Sequence, residues 1–73
     1  MSEVGIGTII IKTSAGRNYR HYVTNIQKPS WSARSYYWAI RIIGGTIRGK
    51  ERIICDDAMI INSPNRYKIE ATQ

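Results

Sequence analysis

Two β-type runs joined by a pair of glycines dominate the middle of the chain. Residues 35–43 and 46–55 are rich in Ile and aromatic side chains, and Gly44-Gly45 lies between them. Such a two-residue link is a strong local signal for a β-hairpin, because both glycines adopt positive φ freely. The pattern therefore predicts an antiparallel hairpin that turns at Gly44-Gly45.

Shorter runs on both sides of this hairpin predict the rest of a small antiparallel sheet. Clusters of Gly, Pro, Ser, Asn and Asp separate the runs, and such clusters favour turns and loops. The longest loop is expected at 27–34, where Pro29 cannot donate to a strand ladder. Further strands are expected at 5–12, 18–26, 58–61 and 66–70, the first two paired as a second hairpin.

These elements define a mostly β fold in a single small domain covering residues 1–73. Five to six short antiparallel strands, with little or no helix, close as a small SH3-like or OB-like barrel or form an open curved sheet. The chain has 14 Ile, 2 Val and neither Leu nor Phe, and Ile is stiff and suits a pleated sheet. Because so short a chain has a thin core, a homo-oligomer is expected.

Strand alternation divides the central hairpin into two faces. If Ile40 and Ile42 face the core, Tyr37 and Arg41 point the other way. The same alternation sorts the other aromatic residues, since large rings bury most of their area. The rings expected in the core are Tyr22, Tyr36 and Trp38, and those expected at the surface are Tyr19, Trp31 and Tyr37.

The second strand of the hairpin contains an irregularity. An unbroken register places Glu51 opposite Trp38, an acidic side chain against a core ring. A β-bulge at Gly49-Lys50 would move the later residues by one position and bring Arg52 toward the Trp38 side. Alternatively, residues 48–51 form a turn that splits the strand.

Positive charge is concentrated in the centre of the chain. The net charge is +6, and residues 17–52 contain eight Lys or Arg and one acid, Glu51. A basic block of this kind is typical of a surface that binds a polyanion, above all nucleic acid. Excess charge also keeps small domains soluble, so the block alone does not decide between the two explanations.

The hairpin register sets Arg41 directly opposite Arg48. Like charges in that position destabilise a sheet, and a phosphate bound between the two guanidiniums would relieve the repulsion. Alternatively, both side chains extend into water at a small cost. Tyr37 and Trp31 are candidates for stacking on a base. The full set of candidate nucleic-acid-binding residues is Arg20, Trp31, Arg34, Tyr37, Arg41, Arg48, Lys50 and Arg52.

The sequence indicates no catalytic, metal or cofactor site. His21 and Cys55 are the only residues of their types and have no sequence-near metal-ligand partners. Adjacent acids after a strand are common in turns, so Asp56-Asp57 is expected to form a turn. Because no nucleophile, base and orienting group can be assembled, we expect a non-enzymatic protein without cofactors. A single cysteine and the lack of a long apolar run predict a cytoplasmic protein without a membrane segment.

The leading hypothesis is a non-enzymatic protein that binds nucleic acid through its phosphates, with weak sequence preference. The layout resembles small basic β-barrels that bind nucleic acid, in architecture only and without a shared motif. Two alternatives stay open. One is an inhibitor or adaptor that binds an acidic protein surface, as small phage and mobile-element proteins do in the host cytoplasm. The other is an oligomer that captures a phosphorylated small ligand.

Overall fold

The computed structural model describes residues 4–70, in which five antiparallel strands form one sheet and the chain makes one short helix. Neighbouring strands follow the order β4-β3-β2-β1-β5, so β4 and β5 are the two edges of an open sheet. The mostly β prediction is confirmed, and of the two closures considered the sheet adopts the open one. The elements are β1 (Ile9–Ser14), β2 (Arg17–Gln27), β3 (Tyr36–Ile43), β4 (Thr46–Asp56), α1 (Asp57–Asn62) and β5 (Tyr67–Glu70).

Both hairpins predicted from the sequence are present. Gly44 and Gly45 have φ values of 61° and 80°, as a tight turn between twisted strands requires, and they join β3 to β4. Ala15 and Gly16 turn the chain between β1 and β2 with φ values of 53° and 75°. The turns therefore form where local sequence chemistry places them, although β1 begins later and runs two residues further than expected.

The core lies on one side of the sheet, which we call the inner face. Ile10 and Val23 are fully buried there. Helix α1 and the turn after it carry the chain from the β4 edge to the β5 edge, and Ile60 of the helix packs against the core. The opposite side of the sheet is called the outer face. The core consists of Ile10, Val23, Tyr37, Ala39, Cys55 and Tyr67.

The faces of β3 are the reverse of those predicted. Tyr37 is only 8% exposed and belongs to the core, whereas Ile40 and Ile42 lie on the outer face and are half-buried. The prediction that Tyr37 is exposed is therefore wrong. So is the placement of Tyr22, Tyr36 and Trp38 in the core, because all three are half-buried on the outer face. Both faces of β3 are apolar, so alternation separates the faces but does not show which one is covered.

The short strand expected at 58–61 is instead part of helix α1. The Asp56 carboxylate accepts a hydrogen bond from the backbone N–H of Met59 at 2.8 Å and so forms the N-cap. At the other end, the backbone N–H of Ser63 donates to the carbonyl of Met59. Asp57 lies in the first turn, where a negative charge is favourable. The final strand is confirmed, with Tyr67 buried as predicted.

The pairing of β4 with β3 is irregular at two places, and the predicted one, near Gly49, is a bulge with two extra residues rather than one. Arg41 pairs with Arg48 and Ala39 pairs with Arg52, so three residues of β4 lie opposite Ile40 alone. Gly49 begins the bulge with a φ of 103°, a conformation that glycine adopts without strain. The second extra residue places Arg52 opposite Ala39 on the inner face, so the predicted move of Arg52 toward Trp38 is wrong.

Candidate nucleic-acid interface

A groove of about 640 Å³ opens on the inner face beside the core. Its walls come from β1, β2, β3 and β4, so it spans most of the width of the sheet. We call it the cationic groove because its charged side chains are all basic. These are Lys12, Arg41, Arg48, Lys50 and Arg52, with Tyr19 and His21 beside them.

The strand register explains why the core and the groove meet. A single cross-strand row runs from Ile10 to His21, from His21 to Arg41, and from Arg41 to Arg48. Directly paired residues share a face, so the row leads from a fully buried apolar side chain to exposed guanidiniums. The sheet therefore fixes the distances between the Cα atoms that carry these basic side chains.

Arg41 and Tyr19 make direct contact within the groove. The guanidinium carbon of Arg41 lies 4.3 Å from the centroid of the Tyr19 ring, a distance at which a cation and an aromatic ring attract each other. The predicted pairing of Arg41 with Arg48 is also present. Arg41 is thus held by a ring on one side while a second cation repels it on the other.

No acidic side chain of residues 4–70 lines the groove, so its positive charge is uncompensated. His21 lies beside these cations, and its Nδ1 atom is buried without a hydrogen-bond partner. Burial lowers the pKa of His21 below its usual value, and the charges of Lys12 and Arg41 act in the same direction. Backbone carbonyls of Ile10 and Tyr19 oppose the shift without cancelling it. An anion in the groove would meet cations and no competing carboxylate.

Half of the predicted site residues come together in this groove, namely Arg41, Arg48, Lys50 and Arg52. The other two arginines are elsewhere and already paired with acids. Arg20 lies on the outer face with its Nη2 2.6 Å from Glu70, and Arg34 lies in the loop before β3 with its Nη1 3.5 Å from Asp56.

The two predicted stacking rings are not in the groove. Tyr37 is in the core, as described above. Trp31 is 80% exposed, but it belongs to the β2–β3 loop, at the opposite end of the sheet from the Gly44-Gly45 turn and the groove. Gln27, at the loop end of β2, is six positions from His21, which is about 20 Å of strand. Trp31 could join the groove only along a ligand of at least that length.

Three charged or aromatic groove residues are not among the predicted site residues, and each of the three lies outside the central hairpin. Lys12 and Tyr19 pair across the β1–β2 hairpin, and His21 pairs with Arg41 of β3. The spacing of Tyr19 and His21 by two residues puts both on one face, which is the signal that could have found them. What the sequence did not provide was the pairing of β2 with β3.

The buried thiol of Cys55 takes no part in this site. Burial raises the pKa of Cys55 to about 12, with a smaller contribution from the neighbouring Asp56, so the thiol stays protonated near neutral pH. Within residues 4–70, no group of three His, Cys, Asp or Glu is placed to hold a metal ion. Nor does that part of the chain contain a helix long and apolar enough to cross a membrane.

No protein-family model matches the chain, and neither does any curated protein or solved structure.

Proposed function

We propose that this protein is a non-enzymatic nucleic-acid-binding protein whose cationic groove contacts the phosphate backbone. The observation that carries the proposal is the convergence of five Lys and Arg side chains from three strands on one groove that no acid of the described residues lines. Arginine forks match phosphate oxygens in pairs. A phosphate between Arg41 and Arg48 would turn their mutual repulsion into two favourable contacts.

The expected binding is electrostatic and weakly selective for sequence. Phosphate contacts set affinity and position but carry no sequence information. Each neutralised phosphate contributes about 0.9 to the slope of log affinity against log salt on duplex DNA and about 0.7 on single strands. If all five cations contact phosphates, the slope is about 4.5 on a duplex and about 3.5 on a single strand.

A salt titration with paired variants tests the proposal. Arg41→Ala/Arg48→Ala removes two charges from the groove, and the control Lys28→Ala/Lys68→Ala removes two exposed charges outside it. The groove variant should lower the salt slope by roughly one to two units, and the control should leave it nearly unchanged. Equal losses in the two variants would assign binding to net charge rather than to the groove. An absence of wild-type binding at about 50 mM salt would overturn the proposal.

A phosphorylated small ligand is the second candidate, and the size of the groove favours it. Its volume of about 640 Å³ falls within the range of small-molecule sites, roughly 300–1,000 Å³. A mononucleotide that displaces a labelled oligonucleotide at equal phosphate concentration would support this candidate.

An acidic protein surface is the third candidate, and recovery of one stoichiometric protein from a nuclease-treated lysate would support it.

A further inference from the structure

A second recess adjoins the cationic groove at the end of β1. We call it the side cavity, and its volume is about 480 Å³. Lys12 and Ser14 line both recesses, so the two meet along that strand. The side cavity is lined by Lys12, Thr13, Ser14, Ala15, Asn65 and Arg66. Its charged side chains are both basic, as in the groove, and none of its described lining residues is an acid.

Arg66 is the cation that the side cavity adds, and backbone hydrogen bonds fix its position. Its carbonyl accepts a hydrogen bond from the Thr13 N–H at 2.8 Å, and its own N–H donates to the Ser63 carbonyl at 3.0 Å. The side chain is exposed, and among residues 4–70 no carboxylate forms an ion pair with it. Arg66 therefore offers a positive charge whose position is fixed by its contact with β1.

Lys12 links the two recesses. It pairs with Tyr19 of β2 on one side and with Tyr67 of β5 on the other, and its side chain is half-buried. Burial lowers the pKa of His21 on the groove wall, and the charge of Lys12 adds to that effect, so the ammonium group acts on the groove as well as on the side cavity. An anion that passes from one recess to the other therefore stays beside a cation.

The basic residues follow the sheet from one edge to the other. Arg48 lies on β4, Lys12 lies on β1, and Arg66 directly precedes β5. Five strands have four spacings, so β4 and β5 are about 19 Å apart along the sheet. A stacked strand of nucleic acid advances about 3.4 Å per nucleotide, so about six nucleotides cover this distance, and fewer do so when the strand is stretched.

The size of the groove favours one strand over two. Its volume of about 640 Å³ is that of a site for one small molecule, so a single strand can enter it, whereas a base-paired duplex meets only its rim. Proteins that bind single strands combine such a basic groove with aromatic side chains, and small β-barrel domains of that kind hold about four to sixteen nucleotides. Tyr19 supplies an aromatic ring in the groove, and a track of about six nucleotides falls within that range.

We propose that the cationic groove and the side cavity form one track for a single-stranded nucleic acid, and that Arg66 contacts a phosphate beyond the groove. The inference rests on the proposed function and narrows its ligand, because a strand must be longer than a mononucleotide to reach both recesses. Phosphates near Arg41 and Arg48 lie toward one end of the track, and Lys12 contacts the strand between the recesses. A mononucleotide or a dinucleotide occupies the groove alone.

Oligothymidylates of about two to about twelve nucleotides test the track. Wild-type affinity should rise with length up to about six nucleotides and change little beyond that. Arg66→Gln should weaken the binding of the longer strands about fivefold at about 0.1 M salt, because one released counterion contributes about 0.7 to the salt slope. The dinucleotide should bind this variant as tightly as it binds the wild type.

Lys68→Gln is the matched control for Arg66→Gln. Lys68 is also exposed and lies on β5, but it pairs with Ile11 on the outer face. The control removes the same charge from the same edge of the sheet, so it should bind strands of every length like the wild type.

Amide NMR shifts locate the bound strand independently of the variants. A strand of about six nucleotides should shift the amide signals of Ala15 and Asn65 in the side cavity as well as those of the groove. The dinucleotide should shift only groove residues such as Tyr19 and Arg41. Shifts that stay within the groove for strands of every length would overturn the proposal.

The binding results separate the track from the function on which it rests. Equal effects of Arg66→Gln and Lys68→Gln would overturn the track, as would a duplex that binds as tightly as the single strand. If either result accompanies a loss of binding in Arg41→Ala/Arg48→Ala, the proposed function stands without the track. A wild-type protein that binds no oligonucleotide at about 50 mM salt would overturn both.

Discussion

The ring of Tyr19 lies 4.3 Å from the guanidinium carbon of Arg41, and the two residues come from different hairpins. Tyr19 is on β2 and Arg41 is on β3, so the contact ties the β1–β2 hairpin to the β3–β4 hairpin at the groove. An arginine held by a ring loses less rotamer freedom when it binds a phosphate.

Tyr19→Leu should therefore weaken nucleic-acid binding without changing the number of phosphates contacted. We expect a loss of about twofold to fivefold, because an exposed cation–π contact contributes about 0.5–1 kcal/mol. Tyr19→Phe retains the ring and should bind like the wild type. Fluorescence anisotropy with a labelled oligonucleotide at one salt concentration measures both. If Tyr19→Phe loses as much as Tyr19→Leu, the hydroxyl rather than the ring is responsible.

Arg48→Thr should stabilise the free protein at low salt. The change removes the repulsion between Arg41 and Arg48 and leaves the Arg41–Tyr19 contact in place. The free energy of unfolding should rise by a few tenths of a kcal/mol to about 1 kcal/mol, the range for cross-strand pairs. Urea denaturation at low and high salt measures it, because salt screens the repulsion and should reduce the gain. Lys68→Thr is the control, and an equal rise there would attribute the effect to threonine.

His21 should make the protein less stable as the pH falls. Burial holds the pKa of His21 below 6.5 in the folded protein, so the unfolded chain takes up a proton first. The free energy of unfolding then falls as the pH drops from about 6.5 to the folded pKa, and levels off below it. His21→Gln should remove this part of the pH dependence. Identical profiles for the two proteins, from urea denaturation between about pH 7.5 and pH 5, would assign the loss to carboxylates.

Cys55 should be unreactive in the folded protein and intolerant of a polar replacement. It is 2% exposed, and burial raises its pKa to about 12, so a thiol reagent at neutral pH should react only after unfolding. Cys55→Ser buries a hydroxyl and should cost about 1–3 kcal/mol of stability if that group finds no partner. Cys55→Ala tests the loss of volume alone. Oligonucleotide binding should be unchanged in both variants, and a loss of binding in folded Cys55→Ala would contradict a purely structural role.

The parts of the fold that the sequence predicted well are those set by a few neighbouring residues. Gly44-Gly45 specifies a turn by its own conformational freedom, and the pairing of Arg41 with Arg48 follows from that turn. The final strand was also located, including the inward direction of Tyr67. Four of the five groove cations could be named because they lie within the hairpin that this turn organises.

The incorrect predictions concern contacts between residues that are far apart in the sequence. Which side of β3 is covered depends on Ile60, more than twenty residues after Tyr37 and brought back by α1. The helix itself is six residues long, too short to show a helical period. Lys12 was overlooked because it reaches the groove only through the pairing of β1 with β2. For β3, strand alternation separated the two faces correctly, but the partner that covers one of them was not available from the local pattern.

The Gly49 bulge gives β4 two residues more than its ladder needs. Removing one would leave an ordinary one-residue bulge opposite Ile40, and removing both would leave regular pairing between Arg41–Arg48 and Ala39–Arg52; in either case the second irregularity, between Trp38 and Tyr37, would stay. The segment 49–51 can therefore change in length without changing the pairing of Arg52 with Ala39. Among any relatives of this protein, insertions and deletions should gather at these three positions, because changes of length there leave the strand pairing on both sides of Ile40 in register.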